Sequence, residues 1–172
     1  GRMDAPARQV IEERASHEGA PLYSLDREFR CDGDSTADCG YTGLKRAYQH
    51  LHCPLQGRFQ LDNLACALAL IELAHDGGLV VPETAVRTGL QQVAWEGRME
   101  VLGQGPMIVV DGAHNPAAAR VLADALADWR RAHPGGHVTL IVGMMRDKHP
   151  KEFLAPLLPL TDTLILTQAD LP

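Results

Sequence analysis

Asp111 and His114 lie at the junction of two predicted elements, where a carboxylate and an imidazole could bind a charged ligand. The apolar run Met107–Val110 predicts a short buried strand, and Asn115 followed by Pro116 is typical of a helix start. In open α/β sheets, ligands bind beyond the carboxyl ends of the strands, and a helix N-terminus at that edge favours anions. The residue types and their spacing therefore indicate a nucleotide or phosphate site.

The same segment also has an explanation that needs no ligand. Asp and Asn side chains accept hydrogen bonds from nearby backbone N–H groups in turns and at helix starts. A strand followed by a capped turn and a helix is a common arrangement, so local chemistry alone leaves both interpretations open.

Four short motifs occur in order along the chain, and residues 111–116 form the third. They are Leu55-Gln56-Gly57-Arg58-Phe59-Gln60-Leu61-Asp62-Asn63, Trp95-Glu96-Gly97-Arg98-Met99-Glu100, Asp111-Gly112-Ala113-His114-Asn115-Pro116 and Gly143-Met144-Met145-Arg146-Asp147-Lys148. Together they resemble the L-x-G-x-H-Q-x-x-N, W-P-G-R-x-E, D-G-A-H-N-P and G-M-x-x-D-K motifs of the folylpolyglutamate synthase/dihydrofolate synthase family. That family belongs to the Mur ligase superfamily, and the resemblance covers residues 10–168.

Two positions depart from the family pattern, and a third separates its branches. Phe59 stands where His is usual, so a hydrogen bond from that position is not expected, and Glu96 stands where Pro is usual. Murein ligases usually carry Tyr after the aspartate of the third motif. Gly112 in that place favours the folate branch and leaves a murein-type amino-acid ligase as an alternative.

The resemblance implies a set of ATP-binding side chains. Arg98 would reach the phosphates of ATP when two domains close, since a guanidinium binds phosphate bidentately. Asp111 and His114 would face the ATP site, with Asp111 accepting from the ribose hydroxyls; Arg98 and His114 are the catalytic candidates. Asn63 would bind the adenine edge with help from Gln60, although Asn63 is equally suited to cap a helix over residues 64–75.

Asp147 and Lys148 follow a predicted strand, again at the carboxyl edge of a sheet. We expect them to contact substrate, and a loop ion pair between them is an equally good explanation.

The resemblance further implies an ATP-dependent ligase that adds L-glutamate to dihydropteroate or a reduced folate through an acyl phosphate. ATP and Mg²⁺ would be its cofactors. The sequence contains no G-x-x-x-x-G-K-[ST] loop, which binds phosphates and supplies a Mg²⁺ ligand. We therefore expect a part of a longer enzyme that is inactive alone and whose Mg²⁺ ligands lie mainly elsewhere. A non-catalytic nucleotide-binding module is the second alternative.

Composition narrows the expected partners to small molecules. The formal net charge of −6 leaves no basic surface for nucleic acid or an anionic membrane, and no apolar run approaches the length of a membrane span. The four cysteines form no C-x-x-C pair, and free thiols fit a reducing cytoplasm. His50, His52 and Cys53 lie close in sequence, but no second ligand pair completes a tetrahedral zinc site. We expect a cytoplasmic monomer without a metal centre in these residues.

The order of elements predicts an α/β fold in two parts. Residues 1–95 would be the end of a P-loop ATPase-type domain, and residues 96–172 an incomplete Rossmann-like C-terminal domain with a mainly parallel sheet. We expect helices at 6–17, 61–75, 82–93, 116–132 and 150–158. Strands are expected at 21–25, 99–102, 107–110, 138–142 and 164–167, with a polar loop or hairpin tip at 30–43 and one or two edge strands within 41–55.

Overall fold

The computed structural model describes residues 3–145 and 148–167. The chain divides into two compact units, Gly1–Val109 and Val110–Pro172. No helix in the described part of the chain is both long enough and apolar enough to cross a bilayer.

The first unit combines helices with a three-stranded antiparallel sheet of order β1-β2-β3. Its elements are α1 (Ala5–His17), β1 (Arg30–Ser35), β2 (Asp38–Thr42), β3 (Ala47–Leu51), α2 (Phe59–Asp76), α3 (Glu83–Gln91) and β4 (Glu100–Gln104), followed by β5 (Met107–Val110), which pairs with β4. The second unit continues with α4 (Pro116–Ala132), β6 (Thr139–Gly143), α5 (Pro150–Leu154), a 3-10 turn (Leu158–Leu160) and β7 (Thr163–Thr167).

The core of the first unit forms where α2 packs on the sheet. Apolar residues recur along α2 at helical spacing, so one face of the helix is buried; they are Leu61, Leu64, Ala65, Leu68 and Ala69. From the sheet, the rings of Tyr41 and Tyr48 stack at 6.0 Å between centroids and belong to the same core.

A buried carboxylate ties α2 to the turn between β2 and β3. Glu72, only 4% exposed, accepts hydrogen bonds from the Tyr41 hydroxyl at 2.7 Å and from the backbone N–H groups of Lys45 and Arg46 at 2.6 and 3.2 Å. Burying an acidic group is costly unless it is hydrogen-bonded. The three donors meet that requirement.

The second unit is built around α4 and a parallel strand pair. β6 and β7 are parallel and in register from Thr139 opposite Thr163 to Gly143 opposite Thr167. Ala119 and Ala123 of α4 pack with Phe153 and Leu157 in a separate small core. This parallel pair and the alternation of strands with helices confirm the predicted α/β fold.

Several predicted elements are confirmed, but β5 is not buried. All four of its residues are between 41% and 50% exposed, because β4 alone pairs with it and no described layer covers it. No strand forms at 21–25, where only Leu25 makes an isolated bridge with Phe29, since no neighbouring strand is available to pair with this Pro-containing stretch.

Two further boundaries differ from the prediction. The polar stretch 30–43, expected as a loop or hairpin tip, forms the two strands β1 and β2, and β3 lies within 41–55 as expected. The helix predicted at 150–158 ends at Leu154, because Pro156 lacks the N–H that would continue it.

Candidate functional site

A cleft in the first unit brings together two of the four motifs. It has a volume of about 340 Å³ and lies between residues 54–56 and residues 93–101. Leu55 and Gln56 of the first motif line one side, and Trp95, Arg98 and Glu100 of the second line the other. Two segments some forty residues apart in sequence thus share one concave surface.

The loop that carries Arg98 is held by its own motif. Gly97 adopts a φ of 67°, a conformation that favours glycine, and its N–H donates to a carboxylate oxygen of Glu100 at 2.7 Å. Arg98 itself is exposed, and its guanidinium forms no hydrogen bond or ion pair with the described residues. An exposed, unpaired guanidinium at the edge of a cleft is suited to bind an anion.

Asn63 lies in the second turn of α2, which starts at Phe59. The alternative that Asn63 caps a helix beginning at residue 64 is therefore wrong. The structure instead joins Asn63 to Gln60, because the Asn63 Nδ2 group donates to Gln60 Oε1 at 2.8 Å. Gln60 is only 5% exposed, whereas Asn63 is exposed. The two predicted adenine-binding residues are thus in direct contact.

The third motif forms the turn between β5 and α4. Asp111 Oδ1 accepts from the Ala113 N–H at 2.8 Å, and Asn115 Oδ1 accepts from the Ala118 N–H at 2.9 Å, which caps α4 as predicted. The His114 ring is exposed and its Nδ1 lies 2.9 Å from the Gly112 carbonyl. Because a carbonyl only accepts, Nδ1 donates in this contact, and Nε2 is the ring nitrogen left for a ligand.

This turn confirms the capping interpretation and leaves room for a ligand. Asp111 and Asn115 cap backbone groups, as the explanation without a ligand requires. The exposed His114 ring remains available to a ligand.

The fourth motif is described only in part. Asp147 lies outside the described residues. Lys148 is half-buried, and its backbone N–H donates to the Met145 carbonyl at 3.2 Å.

The structure thus joins Gln60 with Asn63, keeps Asp111 and His114 in one turn, and places Arg98 in the cleft. Sequence reasoning did not single out Gln56 and Trp95 as site residues, although both line that cleft. In the sequence, their membership of the first two motifs could have indicated that they belong to the site.

Comparison with known proteins gives the same family by sequence and by structure. Residues 97–172 match the family model described as Mur ligase, glutamate ligase domain. The dihydrofolate synthase/folylpolyglutamate synthase of Mycobacterium tuberculosis (strain ATCC 25618 / H37Rv) is 33% identical over 135 residues, which are 76% of this chain and 26% of that protein. This chain therefore spans about a quarter of the length of that curated relative.

Two solved structures extend the similarity to the fold. Mycobacterium tuberculosis folylpolyglutamate synthase complexed with ADP and AMPPCP superposes with a TM-score of 0.84 at 28% identity, covering 100% of this chain and 39% of that one. Escherichia coli FolC in complex with DHPP and ADP gives a TM-score of 0.76 at 28% identity, covering 91% of this chain and 35% of that one. The chain belongs to the folylpolyglutamate synthase/dihydrofolate synthase family of Mur ligases.

Proposed function

We propose that this chain forms part of an ATP-dependent ligase that adds L-glutamate to dihydropteroate or to a reduced folate. The observation that carries the proposal is the cleft in which the first two motifs meet, with the exposed Arg98 guanidinium at its wall. Solved relatives complexed with ADP, AMPPCP and DHPP support the same class of substrates.

The proposed reaction has two steps. A carboxylate oxygen of the pteroate or folate attacks the γ-phosphorus of ATP, the bond to the departing ADP breaks, and an acyl phosphate forms. The amino nitrogen of glutamate then attacks the acyl carbon through a tetrahedral intermediate, loses a proton, and displaces phosphate to leave an amide. Phosphoryl transfer depends chiefly on positioning the reactants and on neutralising the charge of the phosphates. A preorganised cation can neutralise that charge.

We assign Arg98 to the phosphates of ATP and Asp111 to its ribose hydroxyls. His114 would face the nucleotide through Nε2, and it is the second catalytic candidate. Asn63 would bind the adenine edge. These roles draw on the exposure of Arg98 and His114 and on the hydrogen bonds of the two motif turns.

Lys148 and Asp147 would contact one of the two substrates that the new amide bond joins. Mg²⁺ would neutralise phosphate charge, but the described residues contain no group of three His, Cys, Asp or Glu side chains able to hold a metal ion. We propose from the family that its ligands, like the phosphate-binding loop, lie mainly in other parts of the complete enzyme.

We also propose a domain boundary at residues 95–96, with residues 1–95 belonging to the ATPase domain and residues 96–172 to the ligase domain. The match of the family model from residue 97 onwards supports it, whereas the two compact units divide at residues 109–110. A cytoplasmic location is proposed from the chemistry of the substrates and the free thiols.

A second candidate is a nucleotide-binding module without catalysis. The sequence favours it in one respect, since none of its 172 residues forms a G-x-x-x-x-G-K-[ST] loop. A murein-type ligase is less well supported because Gly112 replaces the usual Tyr.

The test is a phosphate-release assay on the protein encoded by the complete reading frame that contains this chain. We expect release to require MgATP, L-glutamate and either dihydropteroate or tetrahydrofolate together, and each omission serves as a control. The 172-residue chain alone is expected to show none. Turnover by the short chain above the buffer blank, or by the complete protein only with a murein precursor, would contradict the proposal.

A further inference from the structure

One wall of the cleft is formed by a segment that no helix or strand contains. Residues 52–56 leave the sheet after β3, so no ladder of strand hydrogen bonds fixes their course. The segment nevertheless supplies three residues to the cleft, which are Pro54, Leu55 and Gln56. A binding surface made from such a segment depends on contacts with other parts of the fold for its shape.

The turn between β1 and β2, formed by Thr36 and Ala37, supplies those contacts through three hydrogen bonds. The Cys53 N–H donates to the Thr36 carbonyl at 2.8 Å, and the Thr36 hydroxyl donates to the Leu55 carbonyl at 2.6 Å. His52 Nδ1 donates to the Ala37 carbonyl at 2.8 Å. Thr36 therefore holds the segment with its backbone and with its side chain.

Burial makes the contacts of Thr36 more durable than an ordinary loop contact. Thr36 and Cys53 are each 5% exposed, so water competes little for their hydrogen bonds. Thr36 also lies 19 residues before Leu55 and outside all four motifs. Its hydroxyl thus connects a part of the sheet that carries no motif to the start of the first motif.

We propose that Thr36 is a positioning residue of the proposed ligase, whose hydroxyl fixes the Leu55 wall of the cleft before substrate binds. The inference rests on the proposed ATP-dependent function. It assigns a role in substrate affinity to a residue that touches no substrate.

The physical reason lies in the Leu55 carbonyl, which is half-buried. Without the Thr36 hydroxyl this acceptor loses its donor, and the segment moves until water can replace it. A wall that moves in the free enzyme has to be ordered when a ligand binds, which weakens binding. Because the other wall carries Arg98, which we assign to the phosphates of ATP, the affected quantity is the KM for ATP.

The experiment measures steady-state kinetics of the complete ligase that contains this chain. Thr36→Val keeps the shape of the side chain and removes the hydroxyl, whereas Thr36→Ser keeps the hydroxyl. Thr42→Val, the same substitution at an exposed position in β2, is the matched control.

We expect Thr36→Val to raise the KM for ATP by about fivefold, within the roughly two- to tenfold that one hydrogen bond contributes. The kcat at saturating ATP and the KM for L-glutamate should stay nearly unchanged, because the lost interaction supports binding alone. Thr36→Ser and Thr42→Val should behave as wild type. Thermal melts of all variants identify any loss of folding.

Amide hydrogen exchange tests the contact without relying on a substitution. In the wild-type 172-residue chain, the Cys53 amide should exchange as slowly as the amides paired between β2 and β3, although Cys53 lies beyond the end of β3. In Thr36→Val its exchange should be about fivefold faster, while the paired amides of the sheet keep their rates.

An unchanged KM for ATP in a folded Thr36→Val enzyme would overturn the inference. So would a Thr36→Ser enzyme as impaired as Thr36→Val, or a kcat that falls while the KM for ATP stays constant, which indicates a purely structural role. A Cys53 amide that exchanges as fast as an exposed loop amide in wild type would overturn it as well. A complete wild-type protein without ligase activity refutes the proposed function itself.

Discussion

Removing the buried Glu72 carboxylate should destabilise the first unit by an amount that its hydrogen bonds allow to be worked out. A buried donor left unsatisfied costs about 1–3 kcal/mol. The Tyr41 hydroxyl carries that full cost because Tyr41 is 0% exposed. The N–H groups of Lys45 and Arg46 are only part-buried, so water can replace some of what they lose. We expect Glu72→Ala to lower the free energy of unfolding by about 3 kcal/mol, including the cavity it leaves.

Glu72→Gln should cost about 1–2 kcal/mol, less than Glu72→Ala. Its amide oxygen can accept from both backbone N–H groups and its nitrogen can donate to the Tyr41 oxygen, so only the Tyr41 O–H loses its acceptor. Urea unfolding of the 172-residue chain, followed by near-ultraviolet circular dichroism of the stacked Tyr41 and Tyr48 rings, reports on this unit. Glu12→Ala on the exposed face of α1 is the control and should stay within about 0.5 kcal/mol.

A loss below about 1 kcal/mol in Glu72→Ala would show that water satisfies all three donors and would refute the reasoning. Equal losses of unfolding free energy in the Gln and Ala variants would also refute the reasoning. They would show that the negative charge of Glu72, and not the number of its hydrogen bonds, determines its contribution to stability.

The other predictions concern the proposed site and the second unit. In the complete enzyme, Arg98→Ala should lower kcat by about 10²–10³-fold with little change in folate KM. An unchanged kcat would show that Arg98 has no role in catalysis. Asp111→Asn and His114→Ala should each impair turnover while circular dichroism melts of the 172-residue chain stay nearly unchanged; unfolding of the chain with normal turnover of the folded fraction would make them structural. Hydrogen bonds from Arg130 and from the Val138 N–H lower the pKa of Asp162 from 3.8 to about 2. Its stabilisation is therefore present above about pH 4 and lost as the pH falls towards 2, so Asp162→Asn should flatten acid unfolding in that range, whereas the exposed control Asp124→Asn should not.

Local chemistry determined much of what the sequence predicted correctly. The start of α4 at Pro116 was readable because Asn115 and Pro116 favour a helix N-terminus whatever surrounds them. Helical spacing of apolar residues likewise predicted α2, and the order of strands and helices predicted an α/β fold. The four motifs indicated the family because residue identity at fixed spacing is itself a property of the sequence.

The tertiary structure decided whatever depends on distant partners. The apolar run of β5 predicted burial, yet its exposure depends on which layer covers it. The hydrogen bond of Tyr41 to Glu72 spans 31 residues, and the cleft joins residues 54–56 to residues 93–101. The contact of Gln60 with Asn63 also depends on the start of α2 at Phe59, because that start places both residues within the helix. Caps and periodicity act over one or two helical turns, whereas a site assembles only when the packed core brings separate segments together.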